Sequence, residues 1–183
     1  MSGDRTASPL RLSMPEIDGL DRAALVATLG AIFENAPWVA REAWKSRPFG
    51  SLDALHRAMV SVMRAAGRAA QLALIRGHPE LAGAAGRRGD MTEISRAEQN
   101  AAGLDAAGAE ELARLHDLNV KYRGKFGFPF VIAVRGRSRA EIIAAAEERL
   151  GHTQDAEFER ALEEIARIAR LRLESLVTDV AKG

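Results

Sequence analysis

Residues 121–136 read Lys-Tyr-Arg-Gly-Lys-Phe-Gly-Phe-Pro-Phe-Val-Ile-Ala-Val-Arg-Gly, and they hold the only Tyr and three of the six Phe in the chain. A helical pattern enters from the left and breaks at Gly127 and Pro129, since Gly closes helices and Pro cannot continue one. The apolar run Phe130–Val134 follows and stops at Arg135-Gly136. Such a stretch turns the chain inside the protein and delivers a cation to the end of a buried segment. The same residues also read as a buried kink between two helices. The run is the only β-like segment, and an isolated one is too little to form a sheet.

The fold therefore rests on helices, and the rest of the chain supplies them. Asp21 is expected to cap a helix to about Asn35, with Leu25, Leu29, Ile32 and Phe33 on one face. Pro37 opens a short helix from a first-turn position. Ser51 caps the next, striped by Leu52, Leu55, Met59 and Met63. Gly67 permits a bend, and a further helix runs to Arg76-Gly77. A looser segment around Gly86 and Gly89 precedes Ser95-x-x-Glu98, which has capping-box spacing. Asp105 to Phe126 is a longer helix with Leu112, Leu115, Leu118 and Tyr122 in register. Ser138-x-x-Glu141 is a second capping box, for a helix ending at Leu150 before Gly151-His152. The last helix is expected from about Asp155 to Ala181. The expectation is an all-α, single-domain bundle of about eight helices, with residues 1–12 as a flexible tail and 13–183 as the helical domain.

Composition narrows the function. The 183 residues fit one domain, and 47% hydrophobic content suffices for a core. A net charge of +1 marks neither nucleic acid nor a membrane surface as a partner. The absence of Cys excludes disulfides, zinc-thiolate sites and thiol catalysis. No apolar run reaches the ~20 residues of a membrane helix, and neither an apolar signal core nor a C-terminal Ser-Lys-Leu signal is present, so a cytoplasmic protein is expected.

Four His are candidates for chemistry, and three lie on or at the ends of amphipathic helices. His78 differs, because Gly77 and Pro79 take it out of helix. It reads either as a titrating group aimed into a cleft or as a helix-terminal His bonded to a carbonyl. No H-E-x-x-H arrangement occurs, and no metal ligand set is expected. The cap explains Ser95 and Glu98 but leaves Gln99 unexplained. A cation at Arg135 is costly beside an apolar run unless it is paired, faces a ligand or is exposed. P-loop, dinucleotide and nucleophile-elbow motifs are absent.

Taken in order, His78-Pro79-Glu80-Leu81-Ala82, then Ser95-x-x-Glu98-Gln99, then Leu118-Asn119-x-x-Tyr122-x-x-Lys125-Phe126-Gly127-Phe128-Pro129-Phe130 with Val131, Ala133, Val134 and Arg135, form a distinctive set. This set resembles the 2-oxo-4-hydroxy-4-carboxy-5-ureidoimidazoline (OHCU) decarboxylase family. Ile32-Phe33-Glu34-Asn35, Pro37-Trp38-Val39, Arg47-Pro48-Phe49, Arg149-Leu150 and the tail Glu164 to Arg172 add to the likeness, which spans about residues 15–180. The resemblance implies an all-α enzyme that decarboxylates OHCU to (S)-allantoin without metal or organic cofactor. It implies His78 as the catalytic acid/base. Pro79, the segment Ser95, Arg96, Ala97, Glu98 and Gln99, and the segment Phe130, Val131, Ile132, Ala133, Val134 and Arg135 would line the substrate site. Glu98 beside His78 would raise the His pKa. A homodimer is possible on the same ground. Two other classes stand beside this one: a helical interaction module using the pocket for a peptide, and a related cofactor-free lyase acting on another ureido acid.

Overall fold

The protein is described here by a computed structural model covering residues 11–82, 92–104 and 108–178. Nine α-helices occur among the described residues: α1 (Met14–Gly19), α2 (Arg22–Leu29), α3 (Pro37–Ala43), α4 (Leu52–Ala65), α5 (Arg68–Arg76), α6 (Glu93–Ala101), α7 (Ala109–Phe126), α8 (Arg139–Arg149) and α9 (Gln154–Leu176). The all-α expectation holds. Among the described residues no helix is long and apolar enough to cross a membrane. The looser segment around Gly86 and Gly89, the tail residues 1–10 and the expected helix start at Asp105 lie outside the described residues.

Several helix starts follow from single side chains. Asp21 accepts the N–H of Ala24 at 2.8 Å, Ser51 that of Ala54 at 3.2 Å, and Ser138 that of Glu141 at 3.3 Å. The Glu141 carboxylate closes its box by accepting Ser138 N–H at 2.7 Å. Ser95 does not cap. Thr92 does, accepting Ser95 N–H at 3.2 Å, so Ser95 sits one turn inside α6 with its hydroxyl free for other partners. Both residues lie at plausible spacing, and the earlier hydroxyl reaches the orphan donor first.

Two helices are shorter than their apolar patterns suggest. Helix α2 stops at Leu29, and turns carry Ile32 and Phe33 into the core without helix. Asn35 adopts a positive φ of 53° before Pro37 opens α3. Burial needs only that the side chain face inward, so apolar spacing overshoots the true helix end. Helix α9 stops at Leu176, where β-branched Val177–Thr178 (β2) pairs in parallel with Leu12–Ser13 (β1). Arg11 closes the helix by donating to the Glu174 and Val177 carbonyls, each at 2.6 Å.

Helix α9 is the central member. Its buried Phe158, Ala161, Leu162, Ile165, Ala169 and Leu173 pack toward α4 and α5. Full burial of each large apolar side chain contributes about 1.5–3 kcal/mol. The stretch after α7 is anchored by its aromatics. Gly127 closes α7 at φ 74°, and the Tyr122 ring lies 5.2 Å from Phe130 and 4.6 Å from Phe126. Residues 129–134 belong to neither helix nor strand, which leaves their backbone to other partners.

Candidate active site

A cleft opens between the end of α5, helix α6, the wall 130–135 and α9. His78, Pro79, Ser95, Glu98, Gln99 and all six residues from Phe130 to Arg135 line it, joined by Leu81, Ile168, Leu171 and Arg172. Arg96 and Ala97 do not. Both are exposed on α6, and Ala97 instead lines an adjacent apolar groove with Ile32, Ile94 and Leu176.

His78 is 6% exposed. Its Nδ1 lies 2.9 Å from the Leu74 carbonyl. A carbonyl only accepts, so Nδ1 carries the proton and Nε2 keeps its lone pair. Burial pulls the His78 pKa down from 6.5 to about 4; the Leu74 bond and Glu34 work against this and Arg172 works with it. The imidazole is therefore neutral at pH 7. This reverses the expectation that Glu98 raises the pKa: Glu98 is held by Arg172, and Glu34 is the carboxylate that acts on His78. The other three His lie outside the cleft. His56 Nε2 lies 2.8 Å from the Ala166 carbonyl, His152 pairs with Glu157 at 2.8 Å, and His116 is exposed.

Arg172 and Glu34 are the site residues that motif reading missed. Arg172 is 5% exposed and reaches Glu98 through two bonds of 2.9 Å, Glu34 at 2.9 Å and Ser95 Oγ at 3.0 Å. Glu34 also accepts Thr92 Oγ1 at 2.7 Å and Ser95 Oγ at 2.8 Å. Burial pushes the Glu34 carboxyl up, but the Thr92 hydroxyl, the Arg172 guanidinium and Ser95 outweigh it and hold it below the usual range. A signal was present: Arg172 falls on the apolar stripe of α9 between Ala169 and Leu173. A charge on a buried stripe needs an opposite charge.

Gln99 clamps the loop after His78. It accepts Ala82 N–H at 2.9 Å and donates to the Glu80 carbonyl at 3.4 Å, while Asn119 donates to the Leu81 carbonyl at 3.0 Å. Arg135 spans back to α9, donating to the Leu171 carbonyl at 3.0 Å and Ser175 Oγ at 2.9 Å.

The wall presents backbone. Val131 C=O accepts from Arg149 at 2.9 Å, Ala133 N–H donates to Glu164 at 2.9 Å, and Ala133 C=O accepts from Arg137 at 3.2 Å. This alternation is that of an extended chain, which turns the Ile132 N–H and C=O and the Val134 N–H to the opposite edge. Among the described residues no partner takes those groups, although both residues are buried. Buried backbone groups of this kind call for a ligand or water. Among the described residues no three His, Asp or Glu side chains converge as metal ligands would.

The sequence model of the OHCU decarboxylase family matches residues 18–174. The chain belongs to the OHCU decarboxylase family. It is 40% identical over 166 residues to the 2-oxo-4-hydroxy-4-carboxy-5-ureidoimidazoline decarboxylase of Halalkalicoccus jeotgali, covering 91% of this chain and 92% of that protein. The protein of the same name from Haloferax volcanii is 43% identical over 162 residues, 88% of this chain and 94% of the relative. The crystal structure of an OHCU decarboxylase in the presence of (S)-allantoin superposes with a TM-score of 0.63 at 26% identity, covering 78% of this chain and 92% of that one.

Proposed function

We propose that this family member decarboxylates OHCU to (S)-allantoin, the last step of urate breakdown to allantoin, in the cleft beside His78. The match to the OHCU decarboxylase family over residues 18–174 carries the reaction. The neutral imidazole of His78 and the unpartnered edge of the wall support the residue roles.

The substrate holds its own electron sink. The bond from C4 to the carboxylate breaks, carbon dioxide leaves, and the electron pair forms a C4–C5 double bond as the adjacent ring imine nitrogen takes the charge and then a proton from solvent, the one proton the overall reaction consumes. His78 Nε2 accepts the proton of the C4 hydroxyl, and the carbonyl forms at C4. The imidazolium then returns the proton to C5 on one face, which sets the handedness of the product. Ile132 and Val134 meet polar ring atoms through their backbone. Glu98 accepts ureido N–H groups with the lone pairs Arg172 leaves, and Gln99 holds the loop that carries His78. Phe130 and Ile132 exclude water, and Arg135 offsets the substrate's negative charge.

The deciding assay generates OHCU in situ from urate and follows the circular dichroism of allantoin. Spontaneous decay yields racemate. The protein is expected to accelerate a single-handed signal, and a racemate formed at the spontaneous rate overturns the proposal.

A pH profile tests the neutral His78. The active form is unprotonated, so kcat/KM falls on the acid side as pH drops through about 4, not through 6.5. An acid limb near 6.5 would refute this assignment. Because the unfolded chain binds the proton first, stability declines earlier, from about pH 6.5 down to about 4, fully present above 6.5 and lower by on the order of 3 kcal/mol below 4. Far-UV circular dichroism at each pH separates unfolding from loss of the base.

A further inference from the structure

The wall 130–134 has no neighbouring strand, since the one sheet among the described residues joins Leu12–Ser13 to Val177–Thr178. Successive residues of an extended chain face opposite sides, so one residue of slip exchanges its two edges. In a sheet the next strand makes that choice. Here two buried, charged side chains occupy its place. Arg149, at the end of α8, donates to Val131 C=O at 2.9 Å, and Glu164, in α9, accepts Ala133 N–H at 2.9 Å. Their side chains are 4% and 2% exposed. Each is steadied by a second ion: Glu157 accepts Arg149 Nε at 2.9 Å, and Arg160 donates to the other Glu164 oxygen at 2.8 Å. The Arg149 guanidinium also lies 4.6 Å from the centre of the Phe130 ring, which fixes the start of the wall.

We propose that Arg149 and Glu164 are positioning residues that stand in for a missing strand and thereby select which backbone edge of the wall meets the substrate. Neither side chain lines the cleft. They act by holding Val131 and Ala133 outward, which leaves Ile132 and Val134 for the ligand. The proposal rests on the reading of this cleft as the OHCU site.

Calorimetric titration with (S)-allantoin tests it, because stoichiometry reports the folded fraction and Kd reports the wall. Glu164→Leu is expected to bind with about tenfold weaker Kd at a stoichiometry near one, the effect of losing roughly one hydrogen bond to the ligand. Its KM for OHCU rises in step, and the acid limb of the pH profile stays where His78 puts it. Glu164→Gln keeps an acceptor for Ala133 N–H and stays within about threefold of wild type. If Glu164→Leu does not fold, Arg149→Lys carries the test. An ammonium cannot hold Val131 and Glu157 together in the planar fork, so KM rises about threefold or more. Reduced stoichiometry with unchanged Kd, in either variant, overturns the inference and leaves a purely structural role. A wild-type protein that neither binds (S)-allantoin nor turns over OHCU overturns the reading of the cleft and this inference with it.

Discussion

Replacing His78 by Asn is expected to lower kcat by about 10²–10⁴-fold while leaving the fold and (S)-allantoin binding near wild type. The shorter amide can place its N–H near the position of Nδ1 and keep the Leu74 carbonyl satisfied, so no buried acceptor is orphaned. What disappears is Nε2, the only base the mechanism uses. The comparison is made by circular dichroism of the product, with thermal melting to verify the fold. A variant retaining kcat within about threefold of wild type would remove His78 from the mechanism. If kcat fell and the product became racemic at the spontaneous rate, the same imidazole would account for both rate and handedness.

Replacing Arg172 by Met is expected to destabilise the protein by about 3–5 kcal/mol, which lowers Tm by on the order of 10 °C. The guanidinium serves Glu34 and Glu98 together, and Glu34 is only 1% exposed. Without the cation, Glu34 keeps only the hydroxyls of Thr92 and Ser95. Its carboxyl then rises toward protonation, since burial is no longer offset by charge. A second change, Glu34→Gln, removes the stranded charge and is expected to recover part of the loss. Thermal denaturation of the single and double variants measures the coupling. A Tm within a few degrees of wild type for Arg172→Met would show that the cluster is neither buried nor coupled as described.

Much of the fold was legible in the residues. Asp21, Ser51 and Ser138 announce helix starts because a cap is an interaction within three residues of chain. Gly127 announces the end of α7 for the same reason. Helix ends failed where apolar spacing was the only guide. Ile32 and Phe33 are buried without helix, and Val177–Thr178 leave α9 for a strand whose partner lies at the other end of the chain. The cap assigned to Ser95 failed because Thr92 offers an equal hydroxyl three residues earlier, and local spacing does not rank the two.

The candidate site divides in a similar way. The motifs around His78, Gln99 and Phe130 are each contiguous, and it was their resemblance to the family, not their spacing, that implied three walls of one cleft. Their electrostatics were not legible. Glu98 and His78 line the same cleft, yet the Glu98 charge is taken by Arg172, 74 positions away, and Glu34 is joined to the same Arg across 138 positions. The sign of the His78 shift followed from its burial, which no local pattern states.

The run Phe130–Val134 illustrates the boundary. Its residues announced the end of a helix at Gly127 and Pro129 and a buried apolar run after it, and left open whether that run is a kink between two helices or a segment whose backbone meets a ligand. Which backbone edge faces the cleft depended on Arg149 and Glu164, brought from helices α8 and α9. Local propensity acts over a few residues and is written in order along the chain. Hydrogen bonds to a wall, and the field at a buried imidazole, depend on distances between remote segments that only the packed fold sets.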